Sequence, residues 1–549
     1  MEGNVYSTKL STQALRAPSS KVSLPFVLLL ISLCGYAAAK KVTFFMAHQS
    51  ETHGFVLTVF CVLAAIPFIG VRYTDFPWLL RAVVRGIGIV VLAQVLFDAF
   101  GPIPPAPNVI FGEANAHALF FRWTALIGVL AGVAAMWRPV FLLPLFYYYI
   151  TWRLLIGPRT GIWVTETDYL AMLDGGAFGV IGGIVAVTVT SDWVLKRAAW
   201  LRGLMQDIPP AVLRQKVCAL VWAIIVGAHL GNYFWSGVAK LLAGWPEPWT
   251  WPLANPTQNA ILFGLDRGDN PLATFPTLLQ FSWDTIRDYG IAFNFFVLVA
   301  QLLSPFAILR RRWLLGFTLL FDVFHIGVYM TLGALFHFWI AVNLIIYSSV
   351  WRAEERDITP VMKVVCILAA LFGPTVFYTN WLGWLDVAKL VSPQFYAVTQ
   401  DGREIWMTPV YFGIYSYTIA QGATYTPPDH FASQIPRDKH LEGWHDAISC
   451  GPRTVPEQTR GSTLGAIERL VRETHQFMQR HPAIKNNNLY YFYPHHMQPN
   501  PWVFTEFNRL RLEEIVGYKY VVDSVCLTLE DGRLRRDVRK RDEFYFDVR

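Results

Sequence analysis

Residues 213–235 read LRQKVCALVWAIIVGAHLGNYFW, and after Lys216 no acidic or basic side chain interrupts the run. A helix needs roughly 20 mainly apolar residues to cross a bilayer, and this stretch supplies them. It also holds a histidine and an asparagine, which lipid tolerates only with partners. Comparable runs lie at 22–39, 54–71, 78–99, 116–137, 139–156 and 176–195 before it, and at 289–309, 316–333, 334–350 and 361–380 after it. Together they predict about eleven spanning helices. Composition agrees: of 549 residues, 54% are hydrophobic and 15% charged, with mean hydropathy +0.35, whereas soluble domains run near 45–50% and 25%. A soluble multidomain enzyme, a disordered chain and a disulfide-stapled mini-protein are excluded. The expected fold class is an all-α polytopic membrane bundle followed by a C-terminal extracytoplasmic α+β domain.

The net charge of +7 lies entirely in the first 392 residues, because the tail from Pro393 carries 19 basic and 19 acidic side chains. The excess belongs to loops between spans, so no nucleic-acid partner is expected. Cytoplasmic loops keep Lys and Arg. Lys9, Arg16 and Lys21 therefore place the N-terminal segment 1–21 in the cytoplasm. Arg72, the linker cations Lys196, Arg197, Arg202, Arg214 and Lys216, the triplet Arg310–Arg312, and Arg352 with Arg356 fall on the same side. The opposite loop 100–115 has no basic residue. Lys40 and Lys41 break the rule by falling outside. They follow Ala37-Ala38-Ala39, which has the small-residue form of a signal cleavage site, although the long preceding segment favours an uncleaved anchor.

This divides the chain into residues 1–21, N-terminal spans 22–209, a central region 210–392 and an extracytoplasmic tail 393–549. In the tail, Asp401-Gly402 and Asp531-Gly532 follow β-prone runs and predict two hairpins. Between them LGAIERLVRETHQFMQRH sets Ile467, Leu470, Val471, Thr474 and Met478 on one helical face. Cys450 and Cys526 both fall there, and a bond between them or two separate thiols are equally open. His475, His481, His495 and His496 lack metal-ligand spacing and read as surface histidines, while Tyr490, Tyr491, Phe492 and Tyr493 read as tail core.

Two polar stripes carry the candidate chemistry. In AHLGNYFWSGVAK, residues 228–240, His229, Asn232 and Ser236 recur at helical spacing, and Tyr233 and Lys240 extend the face. A lysine near a helix end commonly snorkels to the headgroups; one held out of water gives up its proton more easily and can serve as a base. In FTLLFDVFHIGVYMTLGALFHFWIAVNLIIYS, residues 317–348, Asp322, His325 and Tyr329 share a second face, with His337 and Asn343 following. A carboxylate beside an imidazole fixes its tautomer, and equally ties two helices together. Arg81, Arg85, Asp98, Arg122 and Arg153 read as bundle pairs or inner-end anchors, and Glu166 and Asp168 as loop carboxylates.

The stretch HLGNYFWSGVAKLLAGWPEPW resembles a motif of the HTTM (horizontally transferred transmembrane) family, to which the vitamin K-dependent γ-glutamyl carboxylases belong: an aromatic pair, a small residue, glycine, then lysine-leucine and a tryptophan. FDVFHIGVYMTLGALFHFWI is similar to its second motif, a helix histidine followed by glycine and an aromatic pair. The resemblance covers about residues 210–350. It implies a reduced, vitamin K-like quinone as cofactor, Lys240 as the base that deprotonates it, and His325 with His229 as orienting or proton-transfer groups. Tyr233, Trp235, Ser236, Asp322, Tyr329 and His337 would then line the substrate and cofactor site, with no metal. The alternative is a non-catalytic accessory or assembly subunit whose tail docks a protein partner.

Overall fold

The computed structural model describes residues 23–49, 51–100, 116–150, 168–198, 200, 203, 205, 208–244, 247–383, 386–412, 424–431, 463–492 and 497–549. Lys9, Arg16, Lys21, Arg153, Glu166, Arg202, Cys450, Tyr493, His495 and His496 lie outside the described residues, as do the side chains of Asp98, Arg122, Asp168 and Phe492. Among those described, six helices are long and apolar enough to cross a membrane: Leu24–Thr43, Trp78–Leu96, Tyr169–Val189, Pro210–Ala243, Gly290–Leu309 and Arg311–Leu332. Other apolar segments expected to span form helices of 10–17 residues, among them His337–Trp351 and Pro360–Thr375.

The helices that build the site are α1 (Ser23–Gln49), α2 (Asp168–Val189), α3 (Pro210–Ala243), α4 (Pro276–Asp288), α5 (Gly290–Leu303), α6 (Arg311–Leu332), α7 (His337–Trp351) and α8 (Pro360–Phe372). The 34-residue α3 is the axis. It is buried almost all round, with Val217, Val221, Trp222, Val226 and Leu230 fully enclosed, as a helix hydrophobic on every face must be. Gly227 and Gly231, one turn apart, let α8 touch it: a Cβ on either would meet the backbone of Cys366 or Ala370. This is the small-residue contact by which helices approach closely in lipid.

α1 accounts for Lys40, one of the two cations that break the charge pattern, and leaves Lys41 exposed. It runs unbroken through Ala37–Ala39 and buries Leu28, Ser32 and Tyr36. Lys40 is an internal ion pair, its Nζ 2.5 Å from Asp174 Oδ2 on α2. A neutralised, part-buried lysine carries no loop charge, so the positive-inside rule does not apply to it.

In the tail, β1 (Lys389–Thr399), β2 (Glu404–Met407), β3 (Ile515–Glu530) and β4 (Arg533–Asp547) form one antiparallel sheet in the order β2-β1-β3-β4. β1 starts at Lys389, upstream of the Pro393 where composition changes. Both expected hairpins form. Gly402 has φ +81°, and Asp531 and Gly532 have φ +49° and +70°, the paired left-handed residues of a tight two-residue turn. α9 (Leu464–Arg480) lays Ile467, Leu470, Val471, Thr474 and Met478 into the tail's core. Cys526 is disulfide-bonded, while Cys34, Cys61, Cys218 and Cys366 are free. Tail and bundle meet at the α6–α7 corner, where Ala334 bridges Met497, Gln498 N donates to Gly333 O at 2.9 Å, and Asn500 N donates to Gly268 O at 2.8 Å.

Candidate functional site

The α3 helix continues past Lys240, so the first stripe does share a face. Its residues do two different jobs. His229 and Tyr233 point into a network centred on Asn343 of α7. Asn343 Oδ1 lies 2.8 Å from His229 Nε2, and its Nδ2 donates to Tyr233 Oη at 2.9 Å and to Asp322 Oδ1 at 2.8 Å. An amide suits this hub because it accepts and donates at once. The three groups arrive from α3 and α6, and Asn343 is wholly buried between them.

Aromatic rings wall the network. Tyr233 stacks on Phe321 at 3.7 Å and meets Trp339 edge-on at 5.3 Å. His325 lies beside Trp339 at 5.9 Å, Phe336 at 5.4 Å and Tyr233 at 5.9 Å. Asp322 therefore serves Asn343, and the expected Asp322–His325 contact is replaced by a ring cluster. Two groups in that cluster, His325 Nδ1 and Trp339 Nε1, are buried without a hydrogen-bond partner. Buried polar atoms nearly always have one. His337 turns away, its Nδ1 3.3 Å from Leu335 O. Among the described residues Tyr329 takes no part in the network; its carbonyl accepts from Gly333 N at 2.8 Å in the cap that ends α6.

Farther along α3, the stripe holds a piece of main chain. After α8 the chain passes a short 3-10 turn at Gly373–Thr375 and continues non-helically through residues 376–383. In an apolar setting every N–H and C=O of such a segment needs a partner. Side chains supply them in succession. Trp235 Nε1 donates to Ala370 O at 3.2 Å, and Lys40 Nζ donates to Val376 O at 3.1 Å. Tyr378 N donates to Asp174 Oδ2, and Asn380 N to Asn232 Oδ1 at 2.8 Å. Ser236 Oγ serves both Asn380 O and Leu382 N, each at 3.3 Å. Lys240 Nζ donates to Leu382 O at 2.6 Å and lies 5.3 Å from the Trp251 ring centroid. Trp235 also packs on Trp381, their ring centroids 4.6 Å apart.

The two assemblies interleave at Asn232 and Tyr233, and only Lys240 stands well away from the network. Eleven residues divide His229 from Lys240, which at about 1.5 Å per residue is roughly 16 Å along the axis. Residue chemistry and spacing pointed to the stripe, but two centres escaped them. Asn343 carried a signal, an amide in the apolar run FHFWIAVNLIIYS, without showing that three partners converge on it. The 376–383 segment carried none, because its first residues read as the end of an apolar span.

The tail holds a third polar constellation. His430 Nδ1 lies 2.8 Å from Ser524 Oγ, and its Nε2 2.7 Å from Asp542 Oδ2. Burial lowers the His430 pKa, with Asp542 opposing. The order Ser–His–Asp matches a nucleophile relay. Ser524 and His430 are 1% and 2% exposed and Ser524 Oγ also accepts from Phe431 N at 3.0 Å, so the relay pins residues 424–431 to the sheet. Among the described residues no group of three or more His, Cys, Asp or Glu is placed to hold a metal. No family model, curated protein or solved structure matches the chain.

Proposed function

We propose that the chain is an integral membrane protein that binds the headgroup of a quinone or similar oxygenated lipid at the α3–α6–α7 ring cluster, in line with its resemblance to the HTTM carboxylases. The observation that carries this reading is the pair of partnerless nitrogens, His325 Nδ1 and Trp339 Nε1, in one aromatic cluster. A planar ring bearing oxygens has the hydrogen-bonding groups to partner both. Trp339 can only donate, so it would hold a carbonyl or oxyanion, while neutral His325 Nδ1 would accept a hydroxyl proton. A reduced quinone supplies electrons when bound; the chain supplies orientation, exclusion of water and that proton acceptor. Asn343 would keep Asp322, Tyr233 and His229 fixed behind it.

Lys240, the base by resemblance, fits less well, because its amine already donates to Leu382 O. An oxidising, extracytoplasmic position for the tail is supported by the disulfide at Cys526. The test is retention of a native quinone. Protein extracted into nanodiscs is denatured in organic solvent and the released lipid quantified, for wild type and for His325→Leu with Trp339→Phe. Near-stoichiometric quinone in wild type and at least a tenfold loss in the variant are expected. Equal retention in both sinks the reading. Lys240 and the tail contacts specifically favour the second reading, a non-catalytic accessory subunit, which predicts no quinone in either and loss of a co-purifying partner on altering the tail's surface.

A further inference from the structure

The segment between the end of α3 at Ala243 and the start of α5 at Gly290 joins two apolar helices, so it lies at one membrane face, the face from which the 376–383 segment leads to the tail. Its helix α4, PTLLQFSWDTIRD, is two-sided. Leu279, Trp283 and Ile286 face inward and pack with Leu529 of β3. Gly532, at the tip of the β3–β4 hairpin, donates its N–H to Gln280 Oε1 at 2.8 Å. The other side shows Leu278 and Phe281, with Phe275 just before the helix and Tyr289 just after it, at 48–67% exposure. Trp249 and Leu253, also exposed, flank the same segment, and Trp249 stacks on Phe295 of α5.

We infer that this face is embedded in the lipid–water boundary, so that α4 lies along the membrane surface as an interfacial helix with the β3–β4 hairpin seated on its back. Three observations support lipid as the occupant. Past the charged end of α4, Tyr289 leads into the exposed apolar side of α5, Ile291, Phe293, Phe296 and Val299, which is itself an apolar helix long enough to span when its short 3-10 extension is included. Two hydroxyls on the exposed side are internally satisfied: Ser282 Oγ donates to Leu278 O at 2.8 Å and Thr285 Oγ1 to Phe281 O at 2.7 Å, as a group facing lipid requires. The charges are gathered at the C-terminal end, where Arg287 pairs with Asp284 at 2.9 Å and Asp288 at 3.0 Å. Aromatic rings are enriched at the lipid–water boundary. This inference does not depend on quinone binding.

The test places an environment-sensitive fluorescent amino acid at position 281, and separately at 287, in the full chain in phosphatidylcholine nanodiscs, and adds lipids spin-labelled high or low on the acyl chain. The probe at 281 should emit to the blue of the probe at 287 and be quenched severalfold more, the high label acting more strongly than the low one. A water-like emission at 281 overturns the inference. So does blue-shifted emission that neither label quenches, which would assign the face to a second copy of the chain. Leu278→Asp combined with a probe at 281 serves as the control: the quenching should fall while the rest of the chain keeps its melting temperature.

Discussion

At the scale of single residues, Asn343 and Lys240 show how much the identity of a partner changes the meaning of a polar side chain in an apolar setting. Asn343 connects three groups that could not be buried without it. Replacing it with leucine, near in size, strips Asp322, Tyr233 and His229 of a partner together. The expected loss is about 3 kcal/mol or more, since each orphaned buried group costs about 1–3. Thermal unfolding in detergent should show it, and Asn343→Asp should be no better because it can no longer donate to Asp322. A melting temperature unchanged in Asn343→Leu would show that the network is ornamental. Lys240 was legible as an unusual cation, and its helix face was legible too. Its actual partner, the carbonyl of Leu382, was not, because a residue 142 positions away leaves no trace in local spacing.

At the scale of elements, the tail was the easier half to read. Turn chemistry is local: Asp-Gly pairs accept the left-handed conformation that tight hairpins need, and a 3.6-residue period marks the buried face of α9. Span counting was harder, since a short apolar helix that packs inside a bundle and one that crosses lipid share a composition. The α9–β3 contact also makes the tail sensitive to acid. His475, read from the sequence as a surface histidine, is instead buried against Tyr518, its Nδ1 3.0 Å from the phenol oxygen, and burial lowers its pKa to about 4. The folded tail therefore holds the neutral imidazole, whereas the unfolded chain titrates near 6.5. Its contribution is complete above that value and is lost as pH falls toward about 4. Between pH 7.5 and 5 this removes about 2 kcal/mol, read as faster proteolysis of the tail in the intact protein. His475→Gln should flatten that slope; an unchanged slope would place the acid-sensitive group elsewhere.

At the scale of the whole molecule, tail and bundle are joined by charges that neither could bury alone. Arg536 of β4 lies 2.9 Å from Asp266, in the segment between α3 and α5, and 3.1 Å from Asp523 of β3. Arg541 holds Asp523 from the other side at 2.7 Å, and both carboxylates are fully enclosed. Removing one partner of such a group costs about 3–5 kcal/mol. Arg536→Ala should thus loosen the tail, with proteases releasing it while the bundle still melts as before. If release is no faster, the hydrogen bonds at Gly268 and Gly333 suffice to hold the two parts. None of this could be read in the charge-balanced composition of the tail, because equal numbers of each sign do not reveal which pairs are hidden.

The main-chain segment from Val376 to Leu382 has a consequence for how the protein is made. Its partners come from α1, α2 and α3, and Lys40 must find a carbonyl 336 residues further along the chain. Those helices enter the membrane while the ribosome has yet to produce the segment that will satisfy them. Synthesis therefore passes through a stage in which Asn232, Ser236 and Lys240 lack the main-chain partners that the segment will bring, while Lys40 already has Asp174. Closure comes only as the end of the bundle emerges. A chain stopped short of residue 376 would keep that row of polar groups without the main chain that satisfies them.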